Sequence, residues 1–109
     1  MSRVIVVAYR PMQGKREELL GLLAQQHRRT RALGMLAKQP PLLCEGTRGE
    51  IVYIIVLDTG ADVDRVWEDE TFQDIDARIA GIATMTPLRT LDEANASYMD
   101  LAGLALQGA

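Results

Sequence analysis

The sequence is poor in the residues that build covalent cross-links and metal sites. Its 109 residues include one cysteine, Cys44, and one histidine, His27. A single cysteine excludes a disulfide within the chain and a cysteine cluster for a metal ion. A single histidine excludes a multi-histidine metal site within one chain. We therefore predict no metal centre.

Long apolar segments and nucleotide-binding motifs are also missing. No apolar stretch reaches the roughly 20 residues of a membrane-spanning helix, so we predict no membrane partner. There is no glycine-rich phosphate loop, no Walker motif and no nucleophile elbow, so we expect no cofactor. The first residues lead directly into a predicted strand without a signal-peptide pattern. We therefore expect a cytoplasmic protein.

The net charge of −3 divides unevenly along the chain. Residues 1–57 hold nine lysines and arginines against four acids, which gives +5, whereas residues 58–109 hold three against eleven, which gives −8. The basic residues follow one predicted helix without interleaved aromatic residues, so we do not expect nucleic-acid binding. Contact between the two halves, within or between chains, is the simpler explanation.

Two segments with unusually continuous apolar character stand out. Residues 51–57 and residues 4–9 contain no charged side chain. Because a strand directs alternate side chains to opposite faces, strands formed by these segments are apolar on both faces. A small sheet of this kind needs cover on both sides. The predicted helices suffice for one side only.

Turn residues and apolar periodicity divide the chain into short elements. Helices are predicted over 15–36, 63–68 and 71–82, with one short helical turn over 88–94. Residues 84–87 are predicted to be extended or loop. Strands are predicted over 3–9, 42–45, 51–57 and 98–101, with a hairpin turn at 46–49 and a helix as the alternative over 102–106.

The resulting order is β-α-β-β-α-β in one domain spanning residues 1–109. This is an α+β, ferredoxin-like arrangement with a four-stranded antiparallel sheet. Right-handed crossovers place both helices on one face and leave the other face open. We therefore predict a homodimer in which two sheets cover each other.

Several short segments are similar to those of a known superfamily. They are YRPMQGK at 9–15, TRALGM at 30–35, PPLL at 40–43, TPL at 86–88 and LDEA at 91–94. With the element order, they resemble the dimeric α+β barrel superfamily, in particular the antibiotic-biosynthesis-monooxygenase-like proteins. The resemblance covers residues 3–101 and implies a homodimer whose two sheets form a barrel.

The resemblance also implies a range of activities. Some members oxidise aromatic substrates without metal or flavin, and others degrade haem. Haem-degrading relatives carry an Asn on the first strand and a His after a Trp in the second helical region. Here the first strand has no Asn and no histidine follows Trp67, so haem degradation is not expected. Close relatives have an Ala-His pair where this chain has Val66 and Trp67, so a histidine-dependent step at that position is lost.

Four aromatic residues are candidates for ligand binding. Tyr9 and Tyr53 lie on the apolar strands, where they either line a pocket or pack in the core with their hydroxyls at the sheet edge. Trp67 and Phe72 either stack on a planar ligand or pack on the sheet or at a dimer interface.

Two basic residues are candidates for catalysis. His27 is a possible general base, or it borders the apolar stripe of its helix, where the charges of Arg28, Arg29 and Arg31 disfavour its protonation. Arg10 either neutralises a bound carboxylate or phenolate at the barrel mouth or forms a surface ion pair. The three helix arginines are expected to be solvated and to pair with the acids at 68–70.

Two other features do not suggest catalysis. Cys44 has only Glu45 as a charged neighbour in sequence, which does not activate a thiol, and we interpret it as a small buried residue. Asp74 and Asp76 lie two positions apart on a helix and do not face each other.

Two functional hypotheses follow. In the first, the protein is a cofactor-independent, monooxygenase-like enzyme that acts on an aromatic or polyketide-like compound in a barrel pocket. In the second, it is a non-catalytic homodimeric module that binds a small molecule or supports assembly.

Overall fold

The two apolar segments form the neighbouring central strands of an antiparallel sheet. A computed structural model describes residues 2–35, 41–58 and 63–105. Strand β1 (Ser2–Pro11) pairs with β3 (Ile51–Asp58) from Ser2 opposite Asp58 to Tyr9 opposite Ile51. The other strands are β2 (Leu42–Glu45), β4 (Ala83–Thr86) and β5 (Ala102–Leu104). The strand order is β4-β1-β3-β2-β5. The fold is therefore α+β, as predicted, and the described residues form five strands rather than the four expected.

Three helices accompany the sheet: α1 (Arg16–Ala32), α2 (Val63–Trp67) and α3 (Glu70–Ile82). Leu19, Leu22 and Leu23 of α1 and Ile75 and Ile79 of α3 are buried in one core cluster. The same cluster contains Tyr9 and Tyr53 of the sheet, so the helices pack on the face that carries the odd-numbered residues of β1 and β3. None of the helices in the described ranges is long and apolar enough to cross a bilayer.

The predicted final strand at 98–101 is wrong. The structure instead forms β4 directly after α3, overlapping the segment 84–87 that was predicted to be extended or loop, and β5 at 102–104. Ala83 ends α3 in an extended conformation, with φ −150° and ψ 156°, so β4 begins there and pairs with the end of β1. The predicted helical turn at 88–94 forms two 3₁₀ turns, Leu88–Thr90 and Asp92–Asn95. The predicted last residue of the first helix, residue 36, lies outside the described residues.

The chain itself covers part of the second sheet face, which the sequence analysis did not anticipate. Strands β4 and β5 lie at opposite edges of the sheet, so the segment between them, residues 87–101, crosses this face. Leu91 is fully buried in a cluster with Ala8 and Val52. The rest of the face remains open: Val4 is 62% exposed and Leu42 is 58% exposed.

Candidate functional site

A cavity of about 130 Å³ lies between the helices and the sheet. Its floor is formed by side chains that β1 and β3 direct towards the helices, because residues two apart on a strand share a face. These floor residues are Ile5, Val7, Tyr9, Tyr53, Ile55 and Leu57. Its walls come from the three helices and strand β4: Gln26, Thr30, Val66, Trp67, Phe72, Asp76 and Met85. The lining is predominantly apolar, with a few polar groups from the helices and strands.

The structure brings together the four aromatic residues singled out from the sequence. Tyr9, Tyr53, Trp67 and Phe72 all line this cavity. Phe72 is buried, Trp67 is 55% exposed, and their rings meet edge to face with centroids 5.6 Å apart. The cavity lies between the helix layer and the sheet, not on the opposite sheet face where a barrel interior was expected. Trp67 therefore forms a partly exposed edge of the cavity.

The two tyrosine hydroxyls are hydrogen-bond donors in an apolar environment. Both residues are 4% exposed. Burial, together with the nearby negative charge of Asp76, raises the pKa of Tyr9 to about 12. Burial and the neighbouring Tyr9 also raise the pKa of Tyr53. Both hydroxyls therefore keep their protons at neutral pH.

His27 lies behind Tyr53 and is not part of the cavity lining. It is 1% exposed, with Nδ1 3.0 Å from Tyr53 Oη and Nε2 3.1 Å from Arg31 Nη2. Burial, then the positive charges of Arg31 and Arg28, lower the pKa of the imidazole. Because protein groups occupy both ring nitrogens, His27 is not placed to take a proton directly from a molecule in the cavity.

Arg10 does not reach the cavity either. It follows Tyr9 on β1 and therefore points to the opposite sheet face. There its guanidinium lies 3.5 Å from the carboxylate of Glu50, whose side chain is fully buried. The structure thus separates Arg10 from the other predicted site residues, and its predicted role at a binding site has no support in this arrangement.

The cavity contains polar groups that the sequence analysis did not select. Asp76 follows Phe72 by one helical turn, so both lie on the same side of α3. The buried Gln26 places its Nε2 3.5 Å from Asp76 Oδ1. The sequence analysis considered Asp76 only as a partner for Asp74; its spacing from Phe72 is the signal that places it at the site.

The start of α3 is fixed by Asp69, which in turn positions Phe72. The Asp69 side chain accepts a hydrogen bond from the backbone N–H of Phe72 at 2.8 Å and forms an ion pair with Arg29 at 2.7 Å. The hydrogen bond from Arg29, followed by that from Phe72, lowers the pKa of Asp69 to about 2. The predicted pairing of the α1 arginines with the acids at 68–70 is confirmed for Arg29.

Within the described ranges, no group of three or more histidine, cysteine, aspartate and glutamate side chains is arranged to hold a metal ion. Cys44 is half-buried and packs beside the cluster of Ala8, Val52 and Leu91, on the face away from the cavity. Comparisons of the chain with protein-family models, with curated proteins and with solved structures give no match.

Proposed function

We propose that the protein binds a small, single-ring aromatic compound in the cavity between the helices and the sheet. The observation that carries this proposal is a largely apolar cavity whose lining includes two buried, neutral tyrosines. Apolar lining with a few convergent polar groups is typical of small-molecule sites. The aromatic rings of Phe72 and Trp67 add surfaces on which a planar ligand can pack.

The volume of the cavity limits the size of the ligand that it can hold. An engineered apolar cavity of about 150 Å³ binds benzene, and the cavity here measures about 130 Å³. One aromatic ring therefore fits, whereas a fused polycyclic compound does not fit inside. The cavity volume therefore favours a single-ring ligand over the polyketide-like compounds considered from the sequence.

The surroundings of His27 favour binding over acid–base catalysis. Its Nε2 is occupied by Arg31 and its Nδ1 by Tyr53. A general base must reach the proton that it removes, directly or through one water molecule. The only histidine of the chain therefore supports the cavity wall in this proposal and does not act on the ligand.

Titration of the single tryptophan tests the binding proposal. Trp67 lines the cavity, so its fluorescence should change saturably when toluene, p-cresol or acetophenone is added. Val7→Phe fills the cavity and should weaken binding roughly tenfold or more, a change of at least about 1.4 kcal/mol. Val6→Phe is the matched control because Val6 is 39% exposed and lies on the other face of the same strand. Binding by none of the three compounds, or equal losses in both variants, would contradict the proposal.

Cofactor-independent oxygenation is a second candidate, favoured by Asp76. Asp76 lines the cavity close enough to Tyr9 to raise the pKa of that tyrosine, and it is the one carboxylate among the described residues that line the cavity. It can therefore take a proton from a bound phenol. An ionised phenol can donate an electron to O₂ directly. In the complete reaction, a single-ring hydroquinone becomes a hydroxyquinone: one oxygen atom of O₂ enters the ring as the new hydroxyl, and the other leaves as water with two hydrogens of the hydroquinone.

Oxygen consumption with a panel of single-ring hydroquinones tests this second candidate. The expected result is substrate-dependent uptake above the rate without protein, and a loss of that excess in Asp76→Asn. Uptake that is unchanged in Asp76→Asn, or absent for every compound, would leave ligand binding as the function.

We further propose that two chains associate through their open sheet faces, as in a ferredoxin-like pair that forms an α+β barrel. The supporting observation is a continuous apolar surface of three exposed side chains, Val4, Val6 and Leu42, next to half-buried Ile54 and Val56. Face-to-face packing of two sheets buries such surfaces. The residues that line the cavity lie on the helix side of the sheet, away from the proposed interface.

A further inference from the structure

Three side chains form a polar series that ends at the cavity. Arg31 lies one helical turn after His27 on α1, and its Nη2 is 3.1 Å from His27 Nε2. On its other side, His27 Nδ1 is 3.0 Å from the hydroxyl oxygen of Tyr53. Arginine only donates hydrogen bonds. His27 Nε2 must therefore be the acceptor and cannot carry a proton.

This contact fixes the tautomer of His27. A neutral imidazole has one N–H group, and when Nε2 accepts, that group is at Nδ1. Burial and the charges of Arg31 and Arg28 lower the pKa of His27, which keeps the ring neutral. The Nδ1–H group then donates to Tyr53, and the oxygen of Tyr53 is the acceptor.

The hydroxyl proton of Tyr53 is consequently not donated to His27. Over residues 2–35, 41–58 and 63–105, the Tyr53 hydroxyl has no hydrogen-bond partner other than His27 Nδ1. A buried tyrosine hydroxyl usually has its donor satisfied. Since Tyr53 lines the cavity, a ligand there is in a position to accept this proton.

Asp76 restricts the charge of that ligand. Asp76 is exposed and lines the same cavity, so its negative charge disfavours an anionic phenolate beside it. A neutral oxygen acceptor avoids this repulsion. Among single-ring aromatic compounds, aryl ketones and aryl aldehydes provide such an acceptor.

We infer that Arg31, through the tautomer of His27, orients Tyr53 as a hydrogen-bond donor that selects a neutral aromatic carbonyl compound. In this role Tyr53 contacts the ligand, whereas His27 and Arg31 are positioning residues. The inference rests on the proposed binding function and adds to it the polar group that the ligand must carry.

The tautomer can be measured directly because His27 is the only histidine. In protein labelled with ¹⁵N-histidine, long-range ¹H–¹⁵N correlation spectra should show a protonated Nδ1 and an unprotonated Nε2. Arg31→Ala should allow the other tautomer to appear, and Arg31→Lys, which keeps a donor, should preserve the wild-type pattern. A protonated Nε2 in the wild-type protein would overturn the inference.

Two ligands of the same shape test whether Tyr53 selects a ligand with a carbonyl oxygen. Acetophenone and α-methylstyrene differ only in having a carbonyl oxygen or a CH₂ group at the same position. We expect acetophenone to bind more tightly, by several-fold and up to about tenfold, which corresponds to one net hydrogen bond. Tyr53→Phe should abolish this preference. Tyr9→Phe, which removes a hydroxyl that does not contact His27, should retain it.

The possible outcomes separate the two proposals. If neither compound binds, the proposed binding function is wrong and the ligand class is wrong with it. If both bind equally to the wild-type protein, binding stands and the selection by Tyr53 is wrong. Should Tyr53→Phe fail to fold, Arg31→Ala replaces it, since Arg31 is exposed; an undiminished preference in that variant would also overturn the inference.

Discussion

At the residue scale, the important groups are polar side chains held inside an apolar layer. His27 is 1% exposed and its two ring nitrogens contact Tyr53 and Arg31. A buried polar group that keeps its hydrogen-bond partners does not destabilise the fold, whereas one that loses a partner lowers the free energy of unfolding. His27 is therefore sensitive both to substitution of its neighbours and to its own protonation.

The burial of His27 predicts a pH dependence of stability. Its pKa in the folded protein is lowered from the ordinary 6.5. Between 6.5 and the lowered value, the unfolded chain binds a proton that the folded protein does not, so the free energy of unfolding should fall as the pH decreases through this window. The dependence should be measured by urea unfolding between pH 7.5 and 5.5, above the range in which ordinary carboxylates titrate.

His27→Gln is the control for this measurement, because it should remove the pH dependence of stability within the window. The titration of the single imidazole by NMR should also give a midpoint below 6.5. A midpoint at or above 6.5, or stability that increases on acidification across the window, would contradict the placement of His27.

The sequence correctly grouped some of the site residues and wrongly grouped others. The alternation of side chains along a strand explains most of these outcomes. Tyr9 and Tyr53 were selected as aromatic residues on apolar strands, and they lie on one sheet face beside the helices. Arg10 was grouped with Tyr9 although adjacent strand residues point to opposite faces. The position of His27 at the edge of the α1 stripe was recognised, but its contact with Tyr53 was not, because that contact joins two elements 26 positions apart.

At the element scale, the segment that links β4 to β5 determines how much of the sheet face opposite the helices is exposed. Residues 87–101 cross the face opposite the helices, and Leu91 is their fully buried anchor. Carboxylates next to Leu91 attach the segment to the hairpin turn: Asp92 pairs with Arg48 at 3.1 Å, and Glu93 accepts from the backbone N–H of Thr47 at 2.8 Å. The segment is therefore a cover of the sheet rather than a simple connection.

Truncation of the anchor should test this role. Leu91→Ala removes a fully buried side chain from its cluster with Ala8 and Val52, so we expect a loss of about 2–5 kcal/mol in the free energy of unfolding. Leu88→Ala is the matched control because Leu88 is 37% exposed on the same segment, and it should cost much less. Urea denaturation of both variants gives the comparison, and equal losses would mean that Leu91 does not anchor the segment.

Strands β4 and β5 were the elements that the sequence predicted least well, whereas the equally short β2 was located at 42–45, between a proline pair and a hairpin turn. The long strands β1 and β3 and the helices α1 and α3 carry continuous or periodic apolar patterns, and all four were located. Strands β4 and β5 have four and three residues and carry no continuous or alternating apolar pattern of their own. Their formation depends on the partner strands β1 and β2, so tertiary pairing, not local propensity, decides where they lie.

At the scale of the whole molecule, the two sheet faces have different roles in this account. The helix-covered face contains the cavity, and the other face is partly covered by residues 87–101 and otherwise open. Val4 and Leu42 are 62% and 58% exposed there. The continuous apolar character of β1 and β3 thus reflects a cavity on one side and, in our proposal, a second chain on the other.

Association through the open face predicts a particle of twice the 12.0 kDa chain mass in sedimentation. Val4→Lys combined with Leu42→Lys should shift it to the monomer, because two facing charges would be buried without partners. Met85→Lys is the control, since Met85 is 64% exposed but borders the cavity on the other face. A wild-type monomer at micromolar concentration, or a dimer unaffected by the double variant, would contradict association through this face.

The most direct test of the central claim is the position of a bound aromatic ligand. In protein with labelled methyl groups, intermolecular nuclear Overhauser effects should be recorded between the ring protons of acetophenone and the side chains around them. The account predicts contacts to the methyl groups of Val7, Ile55 and Leu57, which form the cavity floor. Contacts to Val4 and Val6 on the open face instead, or no contacts at a saturating concentration of ligand, would contradict it.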